Sequence, residues 1–433
     1  MDSLALAPGE ARGNRNGGPT PCRRPGDGAV GVGGFTMRKC CLAGGLLWLL
    51  PLALWAQGQP SQLTRQALAK AAPPYRWIAE QRVRGAYYSA LGEVSYYDTA
   101  AGAGINCILN KSNGFIPASP EGGLSFHAEQ ATICAARGMK YIAYVNFNSD
   151  TERSYTRRQY TPVVDAAGTV YPNSPSPLDR GFWDQAIKQR WLLLAERAKT
   201  APITGTAIDF EMYGSEIVFY DRIGCLDYSD LAFNGFLQER KLPLDQPVPL
   251  AQRAAWLKER NLTAAYEAYY RQTLESICRD LEQAVHRVNP DFLIGFYSWS
   301  NHSMFYEACA RGLGTEQRPV LLWPGSTYST GYTKFEVDDQ VTALAQIGAH
   351  AVFIPGLWLW QFDPQNLAAN AYLCAQQAGG YWLYGVYATW AETARRRRVP
   401  HVDGPAYWAA LRQADDDIAA AQKDPNYQSA LKE

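Results

Sequence analysis

The chain has 433 residues, 47% apolar and 19% charged, which is enough apolar material for a large core and too little charge for a chain disordered throughout. Lysine plus arginine number 41, as do aspartate plus glutamate, so no net basic field exists to hold a phosphate backbone and nucleic acid is excluded as an expected partner. The excess is aromatic, 13 Trp and 26 Tyr, flat faces with a polar edge that suit stacking on sugar rings as well as core packing.

Residues 1–36 are rich in Gly, Pro and Arg, have no apolar period, and predict an unfolded extension upstream of the native chain. Met37 then opens a different pattern: Arg38-Lys39, an apolar run over 41–55, and Ala56. Charge, apolar run and small residue in that order predict a secretory signal over 37–56, cut after Ala56, with Met37 the true start and the product secreted or periplasmic. The run is shorter than the ~20 residues a span needs and Pro51 interrupts it, so no stable membrane span is expected. Cys40 and Cys41 precede the run, which argues against a lipid anchor. Beyond it stand Cys107, Cys134, Cys225, Cys278, Cys309 and Cys374, with no CxxC among them and every pairing, or none, left open. His127, His286, His302, His350 and His401 are scattered without ligand spacing, so neither a metal nor another cofactor is expected.

Residues 57–80 read as a lead-in and 81–433 as one folded domain. There, short apolar or aromatic runs alternate with helical stretches, the order of parallel strands joined by crossover helices. Eight runs are counted: 85–90, 104–110, 140–146, 205–211, 292–299, 319–323, 351–355 and 381–387. Helices are predicted over 126–137, 180–199, 263–288 and 337–347, each ending at or near a Gly or Pro, and from Pro405 to the tail. Eight repeats favour a single α/β (β/α)₈ barrel over an open sheet. Long connections over 148–180 and 212–262, after the third and fourth strands, would wall a cleft on the side where such barrels carry their chemistry. The basic run 395–398 reads as a solvated helix face.

In the run 205–211, alternation sends Thr206, Ile208 and Phe210 to one face and Gly205, Ala207, Asp209 and Glu211 to the other. The second set points inward, with small residues deep and carboxylates at the mouth. Two acids facing an interior are costly to desolvate, and their repulsion raises one pKa, which keeps a proton available for general acid work. The plainer reading is a buried Arg partner or a helix cap.

The segment Ile208-Asp209-Phe210-Glu211-Met212-Tyr213 resembles the Asp-x-Glu signature ending the fourth strand of the chitinase-like family 18 glycoside hydrolases. The resemblance implies a barrel enzyme cleaving glycosidic bonds. Glu211 would protonate the glycosidic oxygen and Asp209 would orient a 2-acetamido group whose carbonyl acts as nucleophile. Tyr297 and Tyr328 are the candidates to hold the acetamido oxygen. The family's earlier acids are replaced here by Thr204 and Ala207, and no Met-x-Tyr-Asp stands at the sixth strand, which bears on the substrate more than on the hydrolase class.

Other mouth candidates follow from the same alternation. Tyr144, Asn146 and Asn148 turn inward on the third strand and Gly295, Tyr297 and Trp299 on the fifth; Asn carboxamides can bind sugar hydroxyls or simply end a strand. Tyr213, Tyr328, Trp358, Trp360, Trp382 and Tyr384 complete a sugar platform, each equally suited to core. Glu93 or Glu392 could supply a second carboxylate in a two-acid mechanism. The expected partner is an oligosaccharide or polysaccharide; oligomeric state is open. The alternatives are a non-catalytic carbohydrate-binding barrel of chitinase-like form, which would have no need of a proton donor, and a lyase or metal-dependent hydrolase using the same acids.

Overall fold

The computed structural model describes residues 60–88, 93–112, 120–146, 160–210, 226–244, 246–297, 303–328, 333–424 and 426–431. Eleven strands are assigned among them: β1 (Val83–Tyr87), β2 (Cys107–Lys111), β3 (Lys140–Asn146), β4 (Pro162–Val164), β5 (Val170–Pro175), β6 (Gly205–Asp209), β7 (Leu293–Tyr297), β8 (Val320–Leu322), β9 (Ala351–Phe353), β10 (Gly356–Trp358) and β11 (Gly380–Tyr384). Nine form one parallel, curled sheet in the order β10-β11-β1-β2-β3-β6-β7-β8-β9, while β4 and β5 make a separate antiparallel hairpin.

All eight predicted runs meet a strand. The first was drawn two residues late, at 85–90 against Val83–Tyr87, and the second three residues early. The seventh, 351–355, meets only β9, and a further strand, β10, starts just past it at Gly356. Pro355 has no N–H for the ladder, and on either side of it the chain changes partner: β9 pairs with β8, and β10 pairs with β11. Only Ile354 and Pro355 separate β9 from β10, the two ends of the strand order. Backbone bonds run to both neighbours here, from Ile354 N to the Leu322 carbonyl (2.9 Å), from Gly379 N to the Phe353 carbonyl (2.8 Å) and from Trp382 N to the Pro355 carbonyl (2.9 Å).

Alternation divides the apolar residues into two clusters. The outer face of the strands (Ile108, Tyr141, Val145, Ile208, Phe296, Leu322, Tyr381) packs under helices that include Glu121–Ala135, Gln189–Arg197, Thr263–Val288 and Met304–Leu313. The concave face (Leu109, Ile142, Ala207, Leu293, Leu321, Val352, Trp382) forms the other. The latter also takes in Leu68, Tyr75, Trp77 and Ile78. The stretch read as a lead-in is thus helical over Pro60–Lys70 and Arg76–Gln81, and it supplies a floor to the concave side. Bonds from Ala72 N to the Gln317 carbonyl (2.7 Å) and from Thr64 Oγ1 to the Gln377 carbonyl (3.1 Å) tie it down.

The long connections also hold more structure than expected. The first carries the β4–β5 hairpin, turned at Asp165, whose Oδ1 accepts from Ala167 N (2.9 Å) and Thr169 N (2.8 Å), and at Gly168, whose φ of +82° suits glycine. The second carries helices Asp230–Arg240 and Arg253–Glu259, the former capped by the Ser229 side chain accepting from Ala232 N. The helix from Arg180 runs through a π-helical stretch, Trp183–Lys188, into Gln189–Arg197. Among the described residues no helix is long and apolar enough to cross a membrane.

Candidate active site

Every residue of β6 is buried. On its outer side Thr206 is satisfied by donating from Oγ1 to the Ala143 carbonyl (2.9 Å), and Ile208 joins the outer core. Phe210, fully buried, is gripped by Phe305 (ring centroids 5.1 Å), Phe296 (5.3 Å) and Trp183 (5.8 Å). Trp183 is itself held by its indole N–H on the Pro177 carbonyl (2.8 Å). Anchoring Phe210 outward turns Asp209 to the concave side, where it is 4% exposed. Its Cα neighbours across the sheet are Asn146 of β3 and Tyr297 of β7.

Around it the carboxyl ends of the strands present aromatic rings to one another. Tyr297 lies 5.9 Å from Trp382 and 6.5 Å from Tyr328, and Tyr328 stacks on Tyr384 at 5.5 Å and meets Trp358 edge-on at 5.7 Å. Tyr144, turned inward as the alternation predicts, packs on Tyr87 at 5.0 Å, and Tyr87 stacks on Tyr384 at 6.0 Å. Burial, with Tyr387 adding to it, pushes the Tyr384 phenol above its ordinary value, so it remains a hydrogen-bond donor. The indole N–H of Trp358 is buried without a hydrogen-bond partner among the described residues, a donor whose desolvation is uncompensated until a ligand acceptor or water meets it.

The structure therefore gathers Asp209, Tyr297, Tyr328, Trp358, Trp382 and Tyr384 at one end of the concave face. Trp360 follows β10 in a short 3₁₀ turn, Leu359–Gln361, where it packs on the outer core while its ring also meets Trp358 at 5.2 Å and Tyr384 at 6.4 Å. Asn148, Glu211, Tyr213 and Trp299 lie outside the described residues; Asn146 is placed by its backbone alone. Glu93 and Glu392 are both exposed. Tyr87 was missed. Its signal was available, since alternation along Val83, Gly85 and Tyr87 puts it on the inner face, but drawing that strand late obscured it. Among the described residues no group of three or more His, Cys, Asp or Glu side chains could hold a metal ion.

No protein-family model and no curated protein matches the chain. Solved structures do resemble it. A β-galactosidase from the haloarchaeon Halorubrum lacusprofundi matches with a TM-score of 0.55 at 14% identity, over 78% of this chain and 58% of its own. A β-galactosidase from Bacillus circulans sp. alkalophilus matches at 0.51 and 12%, over 79% and 56%, and one from the psychrophilic Marinomonas ef1 at 0.51 and 10%, over 80% and 60%. The chain thus spans less than two thirds of the length of each. At such identities the likeness is one of fold, the parallel curled sheet clothed in helices.

Proposed function

We propose that the chain is a glycoside hydrolase acting on a polysaccharide or glycan, with Glu211 as general acid/base and Asp209 as its assistant. The observation that carries this reading is Asp209: a buried carboxyl at the carboxyl end of an inner strand, in register with Tyr297 of β7, whose ring packs on Trp382 and Tyr328. Such a position costs solvation without returning core packing, which is the signature of a group kept for chemistry. The similar structures are of β-galactosidases, which supports the glycosidase class.

The nine-strand sheet is read as one (β/α)₈ barrel in which β9 and β10 are two halves of the seventh strand, broken at Pro355. Glu211 lies outside the described residues; it is assigned to Asp209's face by carrying the two-residue period past the end of β6. Two carboxyls in an apolar bowl do not both ionise readily, and the one that keeps its proton donates it to the leaving oxygen. The substrate-assisted route, with the acetamido carbonyl as nucleophile, is favoured by Tyr297 beside Asp209 and by the exposure of both Glu93 and Glu392. Export through the 37–56 signal is part of the proposal; N-terminal sequencing of the secreted protein should begin at Gln57.

The test is turnover on a panel of acetamido and plain oligosaccharides. Glu211→Gln should lower kcat by about 10³-fold or more while leaving sugar affinity within a few fold, because shape is kept and the proton is lost. Unchanged turnover ends the assignment. Binding without turnover by the unsubstituted protein transfers it to a sugar-binding barrel.

A further inference from the structure

Outside the bowl, two thiols meet. Cys278 on the Thr263–Val288 helix and Cys309 on the Met304–Leu313 helix are wholly buried, with their Sγ atoms 3.7 Å apart. Their facing is pinned by the helices' own register. Arg271 pairs with Glu307 (3.1 Å) and Arg311 with Glu275 (3.1 Å); on the second helix the two partners bracket Cys309, and on the first both lie within two turns before Cys278. The backbones also come close at this crossing: a Cβ on Gly312 would fall 2.5 Å from the Cβ of Cys278 and 2.5 Å from the Glu275 carbonyl oxygen, so only glycine fits. Burial pushes the Cys309 thiol well up, which leaves it inert as a nucleophile in the folded state.

We propose that Cys278 and Cys309 close a disulfide that staples these two helices when the chain folds in an oxidising compartment. A sulfur–sulfur bond is about 2.0 Å, so the two atoms have less than ~2 Å to travel, within the reach of side-chain rotation. With a glutathione-type disulfide as oxidant, one cysteine thiolate attacks it and expels one glutathione thiolate, leaving a mixed disulfide. The second cysteine thiolate attacks the protein sulfur of that intermediate and expels the other. Two electrons pass from the cysteines to the oxidant, and the two cysteine protons end on the released thiols. Because both sulfurs are sealed in the native core, exchange occurs before the helices dock, and the finished bond is shielded from reductant afterwards. The enclosed segment, 31 residues from one cysteine to the other, includes β7 and Tyr297.

The full chain is refolded in parallel in oxidised and in reduced glutathione, denatured, alkylated and mapped by mass spectrometry. The oxidised sample is expected to yield one linked peptide pair joining Cys278 to Cys309, and a melting midpoint about 5 °C above that of the reduced sample. The Cys278→Ser/Cys309→Ser variant should lose both the linked pair and the redox-dependent shift. Recovery of the two cysteines as separately alkylated thiols from the oxidised sample, or joined to other cysteines, overturns the proposal. Should the double variant fail to fold, the peptide map of the unsubstituted chain decides alone. A defined redox buffer makes the result independent of both export and glycosidase activity.

Discussion

Asp209 and Phe210 are consecutive and face opposite media, one a polar cost and the other an apolar anchor, and the second sets the direction of the first. Replacing the carboxyl by its amide keeps volume and removes charge, so Asp209→Asn should spare folding and depress kcat more than KM; steady-state kinetics on a responsive oligosaccharide separates the two, and an undiminished kcat removes Asp209 from the mechanism. His127 tests the same physics away from the site. It is wholly buried, its Nδ1 2.8 Å from the Tyr141 hydroxyl, and burial lowers its pKa from 6.5 to about 3. The unfolded chain binds that proton first as the solution is acidified, so its contribution to stability is complete above the unfolded value and is lost as pH falls toward the folded one. Between about pH 6.5 and 4.5 the loss from this residue is on the order of 2–3 kcal/mol. Urea midpoints across that range should fall less steeply for His127→Asn than for the unsubstituted chain, and parallel curves would refute the assignment.

Among the elements, the seam between the two long connections is held by one carboxylate. Asp227 is buried, and its Oδ1 accepts from Val164 N (3.0 Å) and Ser229 N (2.8 Å), while its Oδ2 accepts from the Ser176 and Ser229 hydroxyls. Burial nonetheless pushes its carboxyl up. Charge is thus the dispensable part: Asp227→Asn keeps an acceptor for the backbone donors, and the serine hydroxyls can turn to accept from the new amide. Asp227→Ala orphans all four donors and should cost about 2–4 kcal/mol in denaturant unfolding, with the Asn variant clearly milder. None of this seam was legible beforehand. Pro162, Pro172 and Pro175 weaken the reading of 162–175 as strands, and Asp165 and Gly168, which do mark a turn, went unused. By contrast the Thr263–Val288 helix was read to its limits, because its apolar period is long and Pro290 stops it. The strands were legible for a similar reason: buried on both faces, they are near-continuous apolar runs. Asp209 followed from the two-residue period, whereas the packing of Tyr328 against Tyr384 depends on loop paths no period encodes.

For the whole molecule, the floor and the bowl are separable. Tyr75, Trp77 and Ile78 enter the concave cluster with Val83, the first residue of β1, and so sit far from Asp209 and Tyr297 at the strand carboxyl ends. Ile78→Ala should therefore lower stability by about 2–4 kcal/mol while leaving kcat and KM unaltered; full stability with impaired turnover would show that the floor communicates with the site.

Inside the sheet, size is shared out unequally. A methyl on Gly85 or Gly356 would press on Trp382 at 3.0 or 2.9 Å, and one on Gly295 would meet the Trp323 indole nitrogen at 2.6 Å. Backbone closes in at the same three places, the Tyr381 carbonyl 3.3 Å from such a methyl on Gly85, the Pro324 carbonyl 2.5 Å from one on Gly356 and the Leu321 carbonyl 2.6 Å from one on Gly295. Trimming an indole therefore opens no room for a side chain opposite, and the three bare positions should stay bare in any relative that keeps this sheet, whatever replaces Trp323 or Trp382.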